Sequence, residues 1–296
     1  MLLTLATHSF AGLLSNNGSK AGKIAGASLT MHDLPEYAIR QLNLRGLNVH
    51  TSMLAGWSLE DLERLRDYAD KAACPCLVLV EDAPLQMMPA TKGGSKGATP
   101  AAGVRDRIQR LALAANRLGC NALAVRFEAP DTDDAFELVA GEVRAMLPIV
   151  EQYEVNLLIA PHQGLTHTAE RLTELIKRIG GFRIGCLPTF AHAAETADPI
   201  DTLRKLAPYA GAIHASVVGF DKSGAHKGYD LKAYIEAIRS VGFANTVAIE
   251  FTGSKDHVKS IETARAVLHD AISDDDTGEN IAEVLEESLE DPEEVE

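Results

Sequence analysis

Val155-Asn156-Leu157-Leu158-Ile159 is a short apolar run that breaks at Ala160-Pro161-His162. An amphipathic segment follows from Thr168 to Ile179 and stops at Gly180-Gly181. A second apolar run, Ile184 to Leu187, comes directly after. Continuous apolar runs of this length suit strands buried on both faces, as in a parallel sheet. The glycine pair is a helix stop, because glycine takes the left-handed backbone that closes a helix at no steric cost. The stretch therefore reads as strand, helix, strand.

The same unit recurs in both directions. Earlier runs are Leu2 to Ala6, Leu47 to Val49 ending at His50, Cys76 to Val80 ending at Glu81, and Ala122 to Val125 ending at Arg126. Later ones are Ala212-Ile213 ending at His214 and Val247 to Ile249 ending at Glu250. Helical patterns lie between: Pro35 to Leu42, Leu59 to Ala72, Arg105 to Leu118, Asp133 to Tyr153, Pro199 to Leu206, Leu231 to Val241 and His257 to Ile272. Polar starts mark several of them, among them Ser58, Asp131-Thr132, Asp198 before Pro199, and Asp230. Eight strand–helix units in one chain predict an α/β fold of the (β/α)8 TIM-barrel type. The first connection, Gly12 to Gly26, has no G-x-G-x-x-G, and no P-loop is present, which argues against an open nucleotide-binding sheet.

Composition narrows the partners. The chain has 296 residues, with 28 Lys+Arg against 42 Asp+Glu and a formal net charge of −14. Twelve of those acids and no basic residue lie in 274–296, so the body, residues 1–273, is nearly neutral. We expect a single barrel domain over 1–273 and an acidic, solvated tail over 274–296, with one helical turn around Ile281 to Leu289. A nucleic-acid partner needs a basic face, and the balance argues against one. No apolar stretch approaches the roughly 18 residues of a membrane span, and Met1 to Phe10 lacks the basic start of a signal peptide. Cys74, Cys76, Cys120 and Cys186 lie in or beside apolar runs and read as reduced core thiols of a cytoplasmic protein. The segment Gln86 to Gly103, with Lys92-Gly93-Gly94-Ser95-Lys96-Gly97, reads as a loop between the third strand and its helix, placed as a lid or an uninvolved insertion.

Parallel strands of a barrel deliver their C-terminal ends to one mouth. His8, His50, Glu81, Arg126, Glu128, His162, His192, His214 and Glu250 all stand at or just beyond such ends. Converging imidazoles and carboxylates can hold a divalent metal or move protons without one. Arg126 can grip a substrate anion, or pair with Glu81 or Glu128 inside the mouth. Trp57, the only tryptophan, can stack on a sugar ring or pack the loop after the second strand.

The chain also resembles the xylose isomerase-like TIM-barrel superfamily, the sugar phosphate isomerase/epimerase group that includes endonuclease IV. The resemblance rests on Val155 to Gly164 with Thr168-Ala169-Glu170, where members read an apolar strand and Glu-Asn-His-Gly. It extends to Ile184 to Ala193, to Ile213-His214, and to Gly228-Tyr229-Asp230-Leu231 with Val247 to Glu250. Asp33-Leu34-Pro35 with Leu42 to Val49 is a weaker match. The superfamily implies a metal set of Glu, Asp, His and Glu from the fifth to eighth strands. Here Ala160 and Thr189 hold the first two places, and His214 and Glu250 match the others.

Three readings are open. The first is a remodelled centre of His162, His192, His214 and Glu250 for one divalent ion such as Mn, Zn or Fe. The second is a metal-free isomerase, epimerase or lyase. The third is a barrel that binds a sugar-like ligand or a partner protein without turnover. The resemblance favours a small carbohydrate, polyol or keto-sugar as substrate and proton abstraction beside a carbonyl. Glu250, His214 and His162 are the expected catalytic residues. His8, His50, Glu81, Arg126 and Trp57 are the expected substrate contacts. The missing carboxylates and acidic balance argue against nuclease chemistry.

Overall fold

The computed structural model describes residues 1–14, 29–88 and 100–273. The lid expectation for Gln86–Gly103 falls mostly outside the described residues, and the tail expectation for 274–296 falls wholly outside them. In chain order the strands are β1 (Leu2–Ala6), β2 (Leu47–His50), β3 (Cys76–Val80), β4 (Leu85–Gln86), β5 (Ala122–Val125), β6 (Phe127–Glu128), β7 (Asn156–Ile159), β8 (Ile184–Cys186), β9 (Ala212–Val217) and β10 (Thr246–Phe251). The helices are α1 (Leu34–Arg40), α2 (Leu59–Lys71), α3 (Pro100–Leu118), α4 (Asp133–Gln152), α5 (Ala169–Ile179), α6 (Phe190–Ala194), α7 (Pro199–Leu206), α8 (Leu231–Arg239) and α9 (His257–Ser273).

Eight strands pair in parallel in the order β8-β7-β5-β3-β2-β1-β10-β9. The two ends of that order meet. Cys186 bridges Ala210 and Thr189 bridges His214, both in parallel. Gly211 N–H donates to the Cys186 carbonyl at 3.1 Å, and His214 N–H donates to the Pro188 carbonyl at 3.0 Å. The sheet therefore closes into the expected (β/α)8 barrel. The strands β4 and β6 form a separate parallel pair just beyond β3 and β5. No helix among the described residues is long and apolar enough to cross a membrane.

The helix starts follow the expected chemistry. Ser58 accepts from the Asp61 amide while Asp61 reaches back to the Ser58 amide, a reciprocal capping box at α2. Thr132, Thr168, Asp198 and Asp230 cap α4, α5, α7 and α8, each side chain accepting from a first-turn backbone amide. Gly180 closes α5 at φ +71°, as its place after Ile179 requires. The helix α6, like the short pair β4 and β6, is an element the periodicity does not announce, and Thr189 caps it by accepting from the His192 amide.

Strand parity divides the core. Leu79, Leu123, Val125, Leu157 and Ile159 join the large cluster shared with the helices. Their neighbours Val78, Val80, Ala122, Ala124, Leu158, Ala160 and Leu187 form a second cluster with Ala212, the barrel interior. The interior is not uniform. On β3, β5, β7 and β8 it is lined by these apolar residues. On β1, β2 and β9 it carries buried Thr4, Asn48, His50, His214 and Ser216, and β10 adds the partly buried Glu250. The four cysteines are buried free thiols. Burial pushes the Cys74 and Cys76 thiols up to about 12.

Candidate metal centre and cavity

Asn48 on β2 and His214 on β9 are separated in the sheet by β1 and β10. Their side chains nevertheless meet, Asn48 Nδ2 lying 3.0 Å from His214 Nε2. That contact crosses the barrel interior, and it places the whole inward row of β2 opposite that of β9 and β10. One residue pair higher, the same geometry assembles three donors. His50 Nε2 lies 3.9 Å from Glu250 Oε1, and His214 Nδ1 lies 3.6 Å from the same oxygen. One ligand atom from each of His50, His214 and Glu250 lies within 4.8 Å of the other two.

Asp82 sets the state of His50. His50 Nδ1 is 2.7 Å from Asp82 Oδ1. Burial raises the Asp82 pKa, but the hydrogen bonds from His50 and Ser52 outweigh it and hold the carboxyl well below its usual range. An ionised carboxylate only accepts, so Nδ1 carries the proton and Nε2 presents a lone pair. That Nε2 is buried and has no hydrogen-bond partner. Burial, first, and the His214 ring then lower the His50 pKa, against the pull of Asp82 and Glu250. His50 is thus a neutral imidazole with its lone pair aimed at the cluster.

Glu250 is the anionic member. Burial alone would raise its pKa, but the hydrogen bond from His214, the charges of His214 and His50, and Ser216 bring it down to about 2. Ser216 Oγ donates to Oε2 at 3.2 Å, leaving Oε1 toward the imidazoles. Asn48 can face His214 with either end of its amide. With the nitrogen, His214 Nδ1–H points at Glu250; with the oxygen, Nε2–H is held by Asn48 and the Nδ1 lone pair joins the cluster.

Two imidazoles and a carboxylate fit an imidazole-tolerant divalent ion. Bond lengths near 2.0–2.1 Å in a tetrahedral zinc site put neighbouring donors about 3.4 Å apart, close to the separations found here. The orphaned His50 Nε2 and the Asp82–His50 pair behind it form the outer-partner arrangement of metal-binding histidines. The carboxylate places implied by the resemblance are not available. Ala160 belongs to the apolar interior cluster, and the Thr189 hydroxyl is engaged in capping α6.

These groups open into a cavity of about 410 Å³. His8, His50, His214 and Glu250 line it from the β1, β2, β9 and β10 side, and Val80, Asp82, Arg126, Ala160 and Leu187 from the β3, β5, β7 and β8 side. The remaining residues singled out from the sequence stand elsewhere. Glu81 is buried against Arg107, whose Nε lies 2.7 Å from its Oε2, and it also accepts from Thr51 Oγ1 at 3.1 Å. The His192 ring packs edge-on against His167 at 5.1 Å, and burial followed by that neighbour lowers its pKa. His162 is not among the residues that line the cavity, and its pKa is lowered by burial and then by Arg126. Trp57 stacks on His32 at 5.0 Å. Asp82, Asn48 and Ser216 were not among the sequence candidates. Parity signals the first: with Val80 inward, Asp82 rather than Glu81 shares its face.

The family model for xylose isomerase-like TIM barrels matches residues 37–271. The chain belongs to that family. Among solved structures it is similar to an L-ribulose 3-epimerase, with a TM-score of 0.72 and 14% identity over 100% of both chains. It is similar to a D-psicose 3-epimerase solved in the presence of D-fructose, with a TM-score of 0.67 and 12% identity over 93% of this chain and 98% of the other. A third is the IOLI protein with a binding zinc atom, with a TM-score of 0.65 and 15% identity over 93% of this chain and 97% of that one. No curated protein sequence matches the chain.

Proposed function

We propose that this protein is a metal-assisted isomerase or epimerase that moves a proton on the carbon beside a carbonyl of a small carbohydrate or keto-sugar. The observation that carries the reading is the convergence of His50 Nε2, His214 Nδ1 and Glu250 Oε1 at the C-terminal mouth of the barrel. Sugar epimerases among the similar solved structures support the substrate class. His50, His214 and Glu250 would hold a zinc, iron or manganese ion, which when bound supplies a positive charge for the enolate oxygen.

The chain's own groups divide the remaining work. A carboxylate with a pKa near 2 is a weak base, so Glu250 serves first as a ligand. His8 lines the same cavity, its ring 5.2 Å from that of His50 and its Nδ1 without a hydrogen-bond partner. We assign the proton to His8. The apolar wall of Val80, Ala160 and Leu187 keeps water from the opposite face.

A second reading, a barrel that binds sugars without turnover, draws on Ala160, because the place where the family resemblance implies a glutamate is part of the apolar interior. The test separates the two. The protein is loaded with Zn²⁺, Fe²⁺ or Mn²⁺, its metal content is measured, and ketoses and aldoses are incubated with it in D₂O. The proposal expects about one ion per chain and deuterium at the carbon beside the carbonyl, with exchange lost in Glu250→Gln and reduced about 10²–10⁴-fold in His8→Gln. A metal-bearing protein that binds sugars without exchange establishes the second reading; a protein with neither metal nor exchange sinks the first.

A further inference from the structure

We infer that the substrate is a sugar acid whose carboxylate is received by Arg126, an assignment that rests on the carbohydrate reading of the same cavity. Arg126 follows β5 directly and lines the cavity. The two acids that could have neutralised it are engaged elsewhere. Glu81 pairs with Arg107, and the Glu128 carboxylate accepts from the Gln86 amide. Arg126 makes no ion pair with any carboxylate of the described residues; its Nη2 donates to the backbone carbonyl of Asp82. A guanidinium carries five N–H donors in a fixed fork, so one contact to one nitrogen leaves most of them without a partner among the described residues. A half-buried cation in that state is costly unless a ligand completes it.

Topology says where that ligand lies. In the closed order of eight strands, β5 is four steps from β10, the far side of the barrel. A molecule that reaches from Arg126 to the His50–His214–Glu250 cluster therefore spans the cavity, with its acid at one end and its reacting carbon at the other. A cavity of about 410 Å³ accommodates a monosaccharide in that pose.

Charge favours a carboxylate over a phosphate. Among the described residues that line the cavity, the other fixed charges are Asp82 and Glu250, both anionic, and none is a lysine. One guanidinium balances one negative charge and matches the planar carboxylate with two parallel hydrogen bonds. A phosphate dianion would bring a second charge, and the described residues offer no further cationic side chain beside Arg126 to meet it.

Calorimetric titration of the full-length, metal-loaded protein tests this with D-glucuronate and D-galacturonate against D-glucose, D-galactose and the hexose 6-phosphates. Uronates are expected to bind at least tenfold more tightly than the parent hexoses. Arg126→Met should remove about tenfold to a hundredfold of that affinity while hexose affinity and metal content stay unchanged. Arg126→Lys, which keeps the charge but not the fork, should retain part of it. Equal affinity for uronates and hexoses, a preference untouched by Arg126→Met, tightest binding of the 6-phosphates, or no binding of any of these sugars would overturn the assignment. The readout is independent of turnover. Selective uronate binding without deuterium exchange would leave this inference standing and remove the isomerase reading, and exchange on neutral sugars alone would do the reverse.

Discussion

Asp82 does more for the candidate centre than any residue that points into it. It fixes the His50 tautomer through the 2.7 Å contact to Nδ1 and is itself held by the Ser52 amide at 2.8 Å. Asp82→Asn is expected to lower zinc affinity by about 10- to 100-fold, read by competition with a chromogenic chelator. The acid side of the stability profile follows from the same residues. His50 has a folded pKa below its ordinary 6.5, so the unfolded chain takes up that proton first and stability falls as pH drops below about 6.5. Glu250 is depressed from 4.5 to about 2, so its contribution is full above 4.5 and is lost as pH falls through that interval. Thermal melts across pH should show both declines, the upper one flattened in His50→Gln and the lower one in Glu250→Gln. At this scale the sequence listed His50, His214 and Glu250 as mouth residues. It could not pair them, because the partners lie 36 to 200 positions apart in the chain.

Elements explain which strand-end histidines stay out of the cluster. The sixth apolar run ends at Leu187, and His192 is expected just beyond that strand end. Instead Thr189 starts α6, and its cap turns His192 into a helical residue against His167. A Thr three residues before the amide it accepts is a legible cap signal, but a five-residue helix has no periodicity to announce it. The strands around this turn also close the barrel. Gly185 sits on β8, and a Cβ there would meet the Tyr209 carbonyl at 2.7 Å and Leu158 Cδ2 at 3.3 Å. Gly185→Ala should therefore destabilise by about 1–3 kcal/mol, seen as a lower urea midpoint. A far-UV spectrum of wild-type shape would show that the strain is local to the seam.

The whole molecule behaves as two concentric cores. The outer one joins the strands to the helices, and the inner one is apolar on four strands and polar on the other four. The outer one encloses the four cysteines, whose thiols burial holds in the protonated state. A thiol reagent such as DTNB should find no fast-reacting group in the native protein and four after denaturation. A fast-reacting thiol under native conditions would contradict the buried placement. Zinc should raise the melting temperature through linkage, about 2.7 kcal/mol at a free concentration of 100 times Kd, and His214→Ala should abolish the shift.

Repeat and periodicity already contained the barrel, because eight units of apolar run and amphipathic helix have few other ways to bury their faces. The missing carboxylates at Ala160 and Thr189 were equally legible, since a residue type at a strand end needs no coordinates to be read. What replaces them was not. Whether a side chain points inward or outward depends on pleat and register, and a shift of one residue exchanges Glu81 for Asp82. Only barrel closure brings β2 across from β9 and β10, seats His50 beside Glu250, and leaves Arg126 without an ion-pair partner among the described residues.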